Sequence, residues 1–261
     1  MAASTLTPRQ QNLGRIIAPL AVGAVGLILW QLVVGGLGIS SYLLPTPLSI
    51  LEQALEFSDS ILTAAGITGW NSLVGLVIGS VLGVCFAALA ASSKSVDAMV
   101  NPIVAALAVI PIVALAPILN TMFGTTQFPR QAIAGLASFV PVFVSALRGL
   151  RQTNPEHRDL MRTYAATGLQ TFRTITLPTA LPYVFTGVRL ASSLAVISAL
   201  VAEYFGGPRG GLGGIISAAA ASSQYPRAWA YVLASIVLGL LFYLAALALE
   251  KLANRGRTAI S

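Results

Sequence analysis

The chain is too poor in charge to be a water-soluble protein. Charged side chains make up 9% of its 261 residues, against roughly 25% in an ordinary soluble domain. Eight acidic, fifteen basic and one histidine side chain cannot cover a globule of this size, so most of the surface must contact lipid or another subunit. The net charge of +7 does not indicate nucleic-acid binding, because so apolar a basic binder would be insoluble.

Long apolar runs predict an all-α membrane protein with six transmembrane helices. A spanning helix needs about 20 apolar residues, and the chain has six runs of sufficient length that contain no charge or a single Arg. The first run is too long for a signal peptide and lacks a cleavage pattern, so we expect it to be retained. Residues 1–261 are then one membrane domain. The predicted spans are 16–38, 62–91, 99–123, 130–150, 182–204 and 227–250.

Between the first two spans the sequence predicts a turn and then a short helix at the membrane surface. Gly and Pro are concentrated at 35–38 and 44–47, where neither residue type can continue an unstrained helix. Glu52, Glu56 and Asp59 follow in a segment that also carries apolar residues. This pattern is typical of an amphipathic helix lying on a membrane.

The distribution of basic residues predicts that both termini are cytoplasmic. With that orientation, eleven of the fifteen Lys and Arg residues fall in cytoplasmic segments and three, Arg130, Arg209 and Arg227, fall in outer loops. Such a bias is what the positive-inside rule describes. Arg189 lies within the fifth span, close enough to the cytoplasmic end for its side chain to snorkel to the surface. The expected location is a bacterial inner membrane, crossed several times.

Few residues in the spans could support catalysis. The lone His157 and the lone Cys85 cannot form a metal site or a catalytic triad, so the chain is expected to be neither an enzyme nor a metalloprotein. Asn120 and Glu203 are candidates for a solute pathway or gate, although a hydrated helix end would equally explain Glu203. Pro102, Pro111, Pro117 and Pro141 can kink spans three and four, which suits a gate but is also common in any membrane bundle.

The segment 148–181 is the one sizeable hydrophilic stretch inside the chain, and it predicts two short helices. Asn154–Pro155–Glu156 is a helix start, because asparagine caps free amides and proline is favoured at the first helical position. A second helix is expected over 169–176, ended by Leu177–Pro178. Both helices have apolar faces. These faces could pack against the chain's own spans, lie among lipid headgroups or bind a partner.

The same segment carries a spaced motif. Asp159–Leu160–Met161 is followed after three residues by Ala165, and after nine more by Ile175–Thr176–Leu177–Pro178. This spacing resembles the EAA loop of the inner-membrane permeases of ABC importers, which has Glu-Ala-Ala, three residues, Gly, nine residues and then Ile-x-Leu-Pro. Ala165 lacks the ready access to positive φ that glycine has, and Gly168 is an alternative hinge. Bulky Leu160 and Met161 change the surface offered to a partner.

Three further segments resemble the nitrate, sulfonate and taurine branch of these permeases. They are the outer-loop sequence 44–47, the third-span sequence 110–117 with Phe123–Gly124, and Ala202–Glu203 followed by the glycine-rich 210–213. With the loop, the resemblance covers nearly the whole chain. It implies a type I importer permease fold with both termini cytoplasmic.

The resemblance also implies the partners. They are two cytoplasmic ATPase subunits, which carry ATP and Mg; a second permease, expected to be another copy of this chain with a different permease as the alternative; and an extracytoplasmic solute-binding protein. This chain then needs no cofactor. The residues expected to couple to the ATPase lie in the segment 154–178: Arg158, Asp159, Leu160, Met161, Arg162, Tyr164, Ala165, Gly168, Leu169, Phe172, Arg173, Ile175, Leu177 and Pro178.

An ion-coupled secondary transporter is the alternative function. Such transporters usually place ionisable groups at mid-membrane, whereas here Arg189 and Glu203 alone approach the bilayer. A transporter acting alone also gives no reason for the patterned segment 154–178. The solute stays open between nitrate, sulfonate or taurine-like anions and a vitamin-precursor heterocycle, because the binding protein does most of the selecting in the family resembled.

Overall fold

The computed structural model describes residues 8–124, 126–206 and 210–254, with the backbone alone at 8–16 and 112–113. In these ranges the chain is a bundle of helices. They are α1 (Pro8–Gly36), α2 (Pro47–Glu56), α3 (Ser58–Ser92), α4 (Lys94–Val109), α5 (Ile112–Phe123), α6 (Phe128–Arg151), α7 (Pro155–Thr163), α8 (Gly168–Thr171), α9 (Leu177–Tyr204), α10 (Leu212–Ala221) and α11 (Tyr225–Asn254), with a π-helical turn, Phe172–Thr176, joining α8 to α9.

Five of the six predicted spans are continuous helices that are long and apolar enough to cross a membrane. The third is instead a pair of helices, α4 and α5, bent by 98°. The break lies at Ile110–Pro111, where both residues have extended backbone, with ψ of 123° and 99°. Proline disfavours the helical conformation of the residue before it and has no N–H to donate. Of the four prolines predicted to kink a span, Pro111 lies at the break, while Pro102, Pro117 and Pro141 lie within α4, α5 and α6.

The bundle is built around α3, α6 and α9, which approach one another closely because small residues line their contacts. On α3, Gly75, Gly79 and Gly83 are buried at four-residue spacing against the α6 backbone. Gly149 of α6 and Gly187 of α9 make the equivalent contacts between those two helices. Small residues at such positions permit the backbone approach on which helix association in lipid depends.

The remaining helices pack around this centre to different degrees. Val34, near the end of α1, is buried, and the indole rings of Trp30 and Trp229 meet edge-on with centroids 6.0 Å apart. Most other α1 side chains with a described environment are exposed. A short helix that carries Glu52 and Glu56 is present as α2, whose first turn is capped by the Thr46 hydroxyl and whose Ile50 is buried, whereas Asp59 lies in the first turn of α3. We refer to the end of the bundle predicted to be cytoplasmic as the inner end and to the opposite end as the outer end.

The close contact between α3 and α6 predicts that Gly79→Ala destabilises the bundle. A Cβ at position 79 would overlap the carbonyl oxygen of Gly135 and crowd Ser138, and overpacking of this kind costs about 1–3 kcal/mol. Gly66→Ala on the same helix is the matched control, because no atom lies within 4 Å of a Cβ built there. Gly79→Ala should lower the midpoint temperature of thermal unfolding of the detergent-purified protein, and Gly66→Ala should not. Equal midpoint temperatures for the two variants would contradict the packing described.

Candidate functional site

At the inner end, the segment between α6 and α9 begins as the sequence predicts. The Asn154 side chain accepts a hydrogen bond from the Glu156 N–H at 3.0 Å, and Pro155 occupies the first helical position of α7. The asparagine satisfies one of the free amides at the helix start, and Glu156 places a negative charge near the positive end of the helix dipole. The start of α7 is therefore set by its own sequence.

The turn after α7 is centred on Ala165, in the left-handed region with φ of 50°. The Ala166 N–H donates to the Met161 carbonyl at 3.0 Å, and the Ala165 N–H to the Arg162 carbonyl at 2.9 Å. This pair of bonds defines a Schellman motif, which usually has glycine at the left-handed position. The alternative that Gly168 provides the hinge is wrong, because Gly168 is the first residue of α8 and has no positive φ.

The second helix of the segment is continuous with the fifth span. Thr167 and Gln170 form a capping box at the start of α8. A π-helical turn follows, in which the Leu177 N–H donates to the Phe172 carbonyl. The prediction that Leu177–Pro178 ends the helix is wrong: the wider turn changes the hydrogen-bonding pattern at the point where Pro178 lacks an N–H, and the helix runs on through α9.

Most of the predicted coupling residues are exposed. Leu160, Tyr164 and Leu169 are 54%, 76% and 60% exposed, so their apolar groups do not pack against the chain's own spans. The half-buried members are Met161, Ile175 and Pro178. The exposed members are Arg158, Asp159, Leu160, Arg162, Tyr164, Ala165, Gly168, Leu169, Phe172, Arg173 and Leu177.

The charged residues of α7 contribute little to holding the segment in place. Arg162 and Asp159 form an ion pair at 3.1 Å, with side chains 81% and 70% exposed. Exposed pairs of this kind contribute about 0–1 kcal/mol. Arg162 and Asp159 can therefore contact a partner protein with little loss of folding free energy, and they lie beside the exposed leucines of the same segment.

At the outer end, Glu203 is buried among three helices. It is 1% exposed, so the hydrated helix end considered for it is wrong. Its carboxylate accepts hydrogen bonds from the Thr68 hydroxyl of α3 at 2.7 Å and from the Gly213 N–H of α10 at 3.1 Å. The Thr68 hydroxyl in turn accepts from the Leu212 N–H at 2.9 Å. Side chains from α3 and α9 thus satisfy amides at the start of α10.

Glycine in the 210–213 sequence allows this contact. A Cβ on Gly211 would overlap the Glu203 carboxylate, and a Cβ on Gly213 would overlap the Leu200 carbonyl oxygen. The glycines therefore let α10 approach α9 closely enough for a backbone amide to reach the carboxylate. The Ala202–Glu203 and glycine-rich sequences singled out above form one structural unit.

A chain of polar side chains extends from Glu203 along α6. Arg130, fully buried in the first turn of α6, interacts electrostatically with Glu203 and donates to the Gln127 side-chain oxygen at 2.5 Å. The Asn71 amide donates to the same oxygen at 3.0 Å, and the Gln131 amide donates to Asn71 at 3.2 Å. We call the set Thr68, Asn71, Gln127, Arg130, Gln131 and Glu203 the outer cluster.

Asn120, the other predicted gate residue, also meets this region. Its side-chain amide donates to the Ala202 carbonyl at 3.3 Å, which ties α5 to the residue before Glu203. Its side-chain oxygen is buried and has no hydrogen-bond partner. The structure therefore places Asn120 of α5 against Ala202, the residue next to Glu203 on α9.

Sequence reasoning missed most of the outer cluster. The prediction that Arg130 lies in an outer loop is wrong, because Arg130 is buried within α6. The available signal was the presence of Thr68, Asn71 and Ser72 within an otherwise apolar span. Polar groups in a bilayer need internal partners, but the sequence does not say which helices supply them.

Arg189 has partners on a neighbouring helix that the sequence does not indicate, and its snorkelling stays a prediction. Its guanidinium lies 2.7 Å from the Glu250 carboxylate and donates to the Tyr243 hydroxyl at 2.9 Å, both on α11. The Thr186 hydroxyl donates to the same carboxylate at 2.7 Å. An ion pair thus joins α9 to α11, because a paired charge inside the bundle is more stable than an isolated one.

Two apolar cavities lie where the broken span crosses α6. The larger, about 680 Å³, is lined by residues of α3, α4, α5 and α6 that include four phenylalanines, Phe86, Phe123, Phe128 and Phe139. Gln131 is the one residue with a polar side chain in its lining. A second cavity of about 400 Å³ lies beside it and also contacts α9 at Leu194 and Ser198. Among the described residues, no group of three His, Cys, Asp or Glu could hold a metal ion.

Comparisons with known proteins agree with this arrangement. Residues 75–255 match the family described as binding-protein-dependent transport system inner membrane component. The formylaminopyrimidine transport permease protein ThiX of Halalkalibacterium halodurans is 34% identical over 70% of this chain and 74% of its own. The putative aliphatic sulfonates transport permease protein SsuC of Bacillus subtilis is 29% identical over 84% of this chain and 80% of its own.

A solved structure shares the fold at low sequence identity. The crystal structure of an amino acid ABC transporter with histidines superposes with a TM-score of 0.59 at 13% identity. The match covers 79% of this chain and 96% of that one.

The left-handed Ala165 predicts that Ala165→Gly stabilises the turn after α7. A non-glycine residue in this conformation costs roughly 1 kcal/mol, which glycine does not incur. Hydrogen–deuterium exchange of the amides at 164–167 should therefore be severalfold slower in the variant. Ala166→Gly is the control, because Ala166 has no positive φ and gains nothing from glycine; faster exchange in Ala165→Gly would contradict the turn geometry.

The Arg189–Glu250 pair predicts a coupling free energy between α9 and α11. Arg189→Gln and Glu250→Gln should each destabilise the protein, and the double variant should lose less than the sum, with a coupling of about 1–2 kcal/mol. Unfolding in mixed lipid–detergent micelles provides the measurement. The same cycle on the exposed pair Arg162 and Asp159 should give a coupling near zero; equal couplings in the two cycles would refute the distinction.

Proposed function

This chain belongs to the family of binding-protein-dependent inner-membrane transport components. We propose that it forms half of the membrane pathway of an ATP-driven importer, and that the solute is a neutral, planar heterocycle. The predicted resemblance to ABC importer permeases of the nitrate and sulfonate branch is confirmed by the family match and by the relatives. The chain is the permease subunit, and ATP hydrolysis belongs to a separate subunit. The number of permease copies, the site that binds the ATPase and the solute are parts of the proposal.

The exposed apolar surface of the inner segment supports ATPase docking. Leu160 and Leu169 are more than half exposed on two helices with sequence-encoded starts. Apolar groups of this kind, with Arg158, Asp159 and Arg173 around them, suit the centre and polar rim of a protein interface. Since α8 continues into α9, a displacement of the docked segment would move a span as a rigid body and give alternating access.

The lining of the larger cavity supports the choice of solute. The two relatives described above are named for formylaminopyrimidine and aliphatic sulfonate transport, and others are named for nitrate, riboflavin and bicarbonate transport. An inorganic anion or a sulfonate would require positive charge or several hydrogen-bond donors. The cavity has neither Lys nor Arg in its lining and offers phenylalanine rings and one amide, which suit an aromatic solute.

We propose that the second permease is another copy of this chain, and that ATP and Mg are bound by two partner ATPases. The support is the large apolar surface left uncovered on a single copy, which includes much of α1 and the open side of the cavities. The mass of the purified importer would distinguish two identical permeases from a mixed pair.

The docking proposal predicts that deleting 157–170 abolishes co-purification of the ATPase while membrane insertion is retained. A finer test is the pair Leu160→Arg and Leu169→Arg, which should weaken ATPase binding by at least about tenfold, the scale of an interface hot spot. Leu252→Arg is the matched control, because Leu252 is 58% exposed on α11 and lies outside the segment. Full ATPase recovery with both variants would refute the docking site.

The solute proposal predicts uptake of formylaminopyrimidine by cells that express the importer with its binding protein. Nitrate and an aliphatic sulfonate should not compete for that uptake. Phe139→Ala should reduce uptake, because it removes one of the rings that line the cavity. Competition by either anion would contradict the assignment.

A further inference from the structure

The outer cluster is more polar than a purely structural contact between helices requires. Arg130 and Glu203 are both almost fully buried, and a well-packed apolar joint of similar volume is often at least as stable as a buried ion pair. Stability alone therefore does not account for these side chains.

Among the described residues α10 and α5 make no hydrogen bond to each other, and Glu203 and its neighbour join them through α9. The Glu203 carboxylate accepts the Gly213 N–H of α10, while the Ala202 carbonyl accepts the side-chain amide of Asn120 on α5. Because the two acceptors are consecutive on α9, a shift of α10 that moves this end of α9 also moves the contact with α5. The outer helix is thus linked to the second half of the broken span.

The outer cluster also reaches the larger cavity by a second route. From Glu203 the interactions pass through Arg130 and Gln127 to Asn71, and from Asn71 to Gln131. Gln131 lines the larger cavity, as do Leu119 and Phe123 of α5. Both routes from Glu203 therefore end at the cavity, one through the backbone of α9 and one through side chains.

We propose that Glu203 is a positioning residue that couples the outer helix α10 to the broken span around the cavity. Contact of the solute-binding protein with the outer face would shift α10, and Glu203 would convert that shift into a change at α5 and Gln131. Glu203 lies in the lining of neither cavity, so it acts on the pathway without contacting the solute. The coupling to a binding protein rests on the proposed function; the link between α10 and α5 does not.

The first test uses the assembled importer in lipid vesicles, with its ATPase and binding protein. Glu203→Gln keeps the shape and one oxygen acceptor but removes the charge that faces Arg130. Thr68→Val keeps the shape but removes the hydroxyl that bridges Glu203 and the Leu212 N–H. Ser72→Ala is the matched control, because its buried hydroxyl bonds only to the carbonyl of Thr68 within its own helix.

The substitutions should affect the basal rate of ATP hydrolysis and its stimulation by the binding protein differently. Glu203→Gln and Thr68→Val should lower the stimulation by about tenfold, within the range typical of coupling between two sites, and leave the basal rate within twofold of the wild type. Ser72→Ala should change neither. Unchanged stimulation in Glu203→Gln would overturn the proposal, and so would an equal loss of basal and stimulated rates, because that result indicates a purely structural role.

A second test needs no partner and therefore separates this inference from the proposed function. Spin labels at Ala218 of α10 and Met122 of α5, both exposed, report the distance between the two helices after Cys85→Ser removes the free thiol. The distance distribution should broaden in Glu203→Gln and stay narrow in Ser72→Ala. A distribution unchanged by Glu203→Gln would overturn the link, whether or not an ATPase binds the chain.

Discussion

The structure depends on one constraint: inside a bilayer no water is available to hydrogen-bond polar groups. The chain meets this constraint by placing its few polar side chains where different helices meet. Glu203 and Arg130 interact at the outer end, and Arg189 and Glu250 pair between α9 and α11. Each charge is thus close to an opposite one, and each of these interactions joins two helices. The few charged residues within the spans are therefore placed where each one helps to hold two helices together.

Close packing of the helices makes these polar contacts available. The glycines of α3 bring it against α6, and Gly213 brings the start of α10 within 3.1 Å of the Glu203 carboxylate. A larger residue at these positions would separate backbones and leave polar groups without partners, at a cost of several kcal/mol for a group in hydrocarbon. Small residues and polar residues therefore depend on one another, although they are distant in the sequence.

The sequence predicted the elements well because each depends on local chemistry. The apolar runs and the Asn154–Pro155 helix start are each encoded within a few residues, whereas four prolines carried the same signal for a kink and the break falls at Pro111. Sequence-based prediction failed where the environment of a side chain depends on a partner from another helix. Nothing near Arg130 indicates that it will be buried next to Glu203, and nothing near Arg189 indicates Glu250. The prediction that the helix ends at Pro178 was wrong for a different reason, since a π-helical turn tolerates a proline that an α-helix would not.

The helix from α8 to the end of α9 gives the two candidate sites a common mechanical element. It runs from Gly168, beside the exposed leucines, to Tyr204, next to the buried carboxylate. At about 1.5 Å per residue, its 37 residues extend roughly 55 Å. A hydrogen-bonded helix of this kind transmits displacement along its axis, whereas α4 and α5 meet at a 98° break without continuous backbone hydrogen bonds. Movement that enters at either end of α9 is therefore expected to be taken up at that break. The cavity lies against the broken pair, so the same motion that reaches the break changes the space open to a solute.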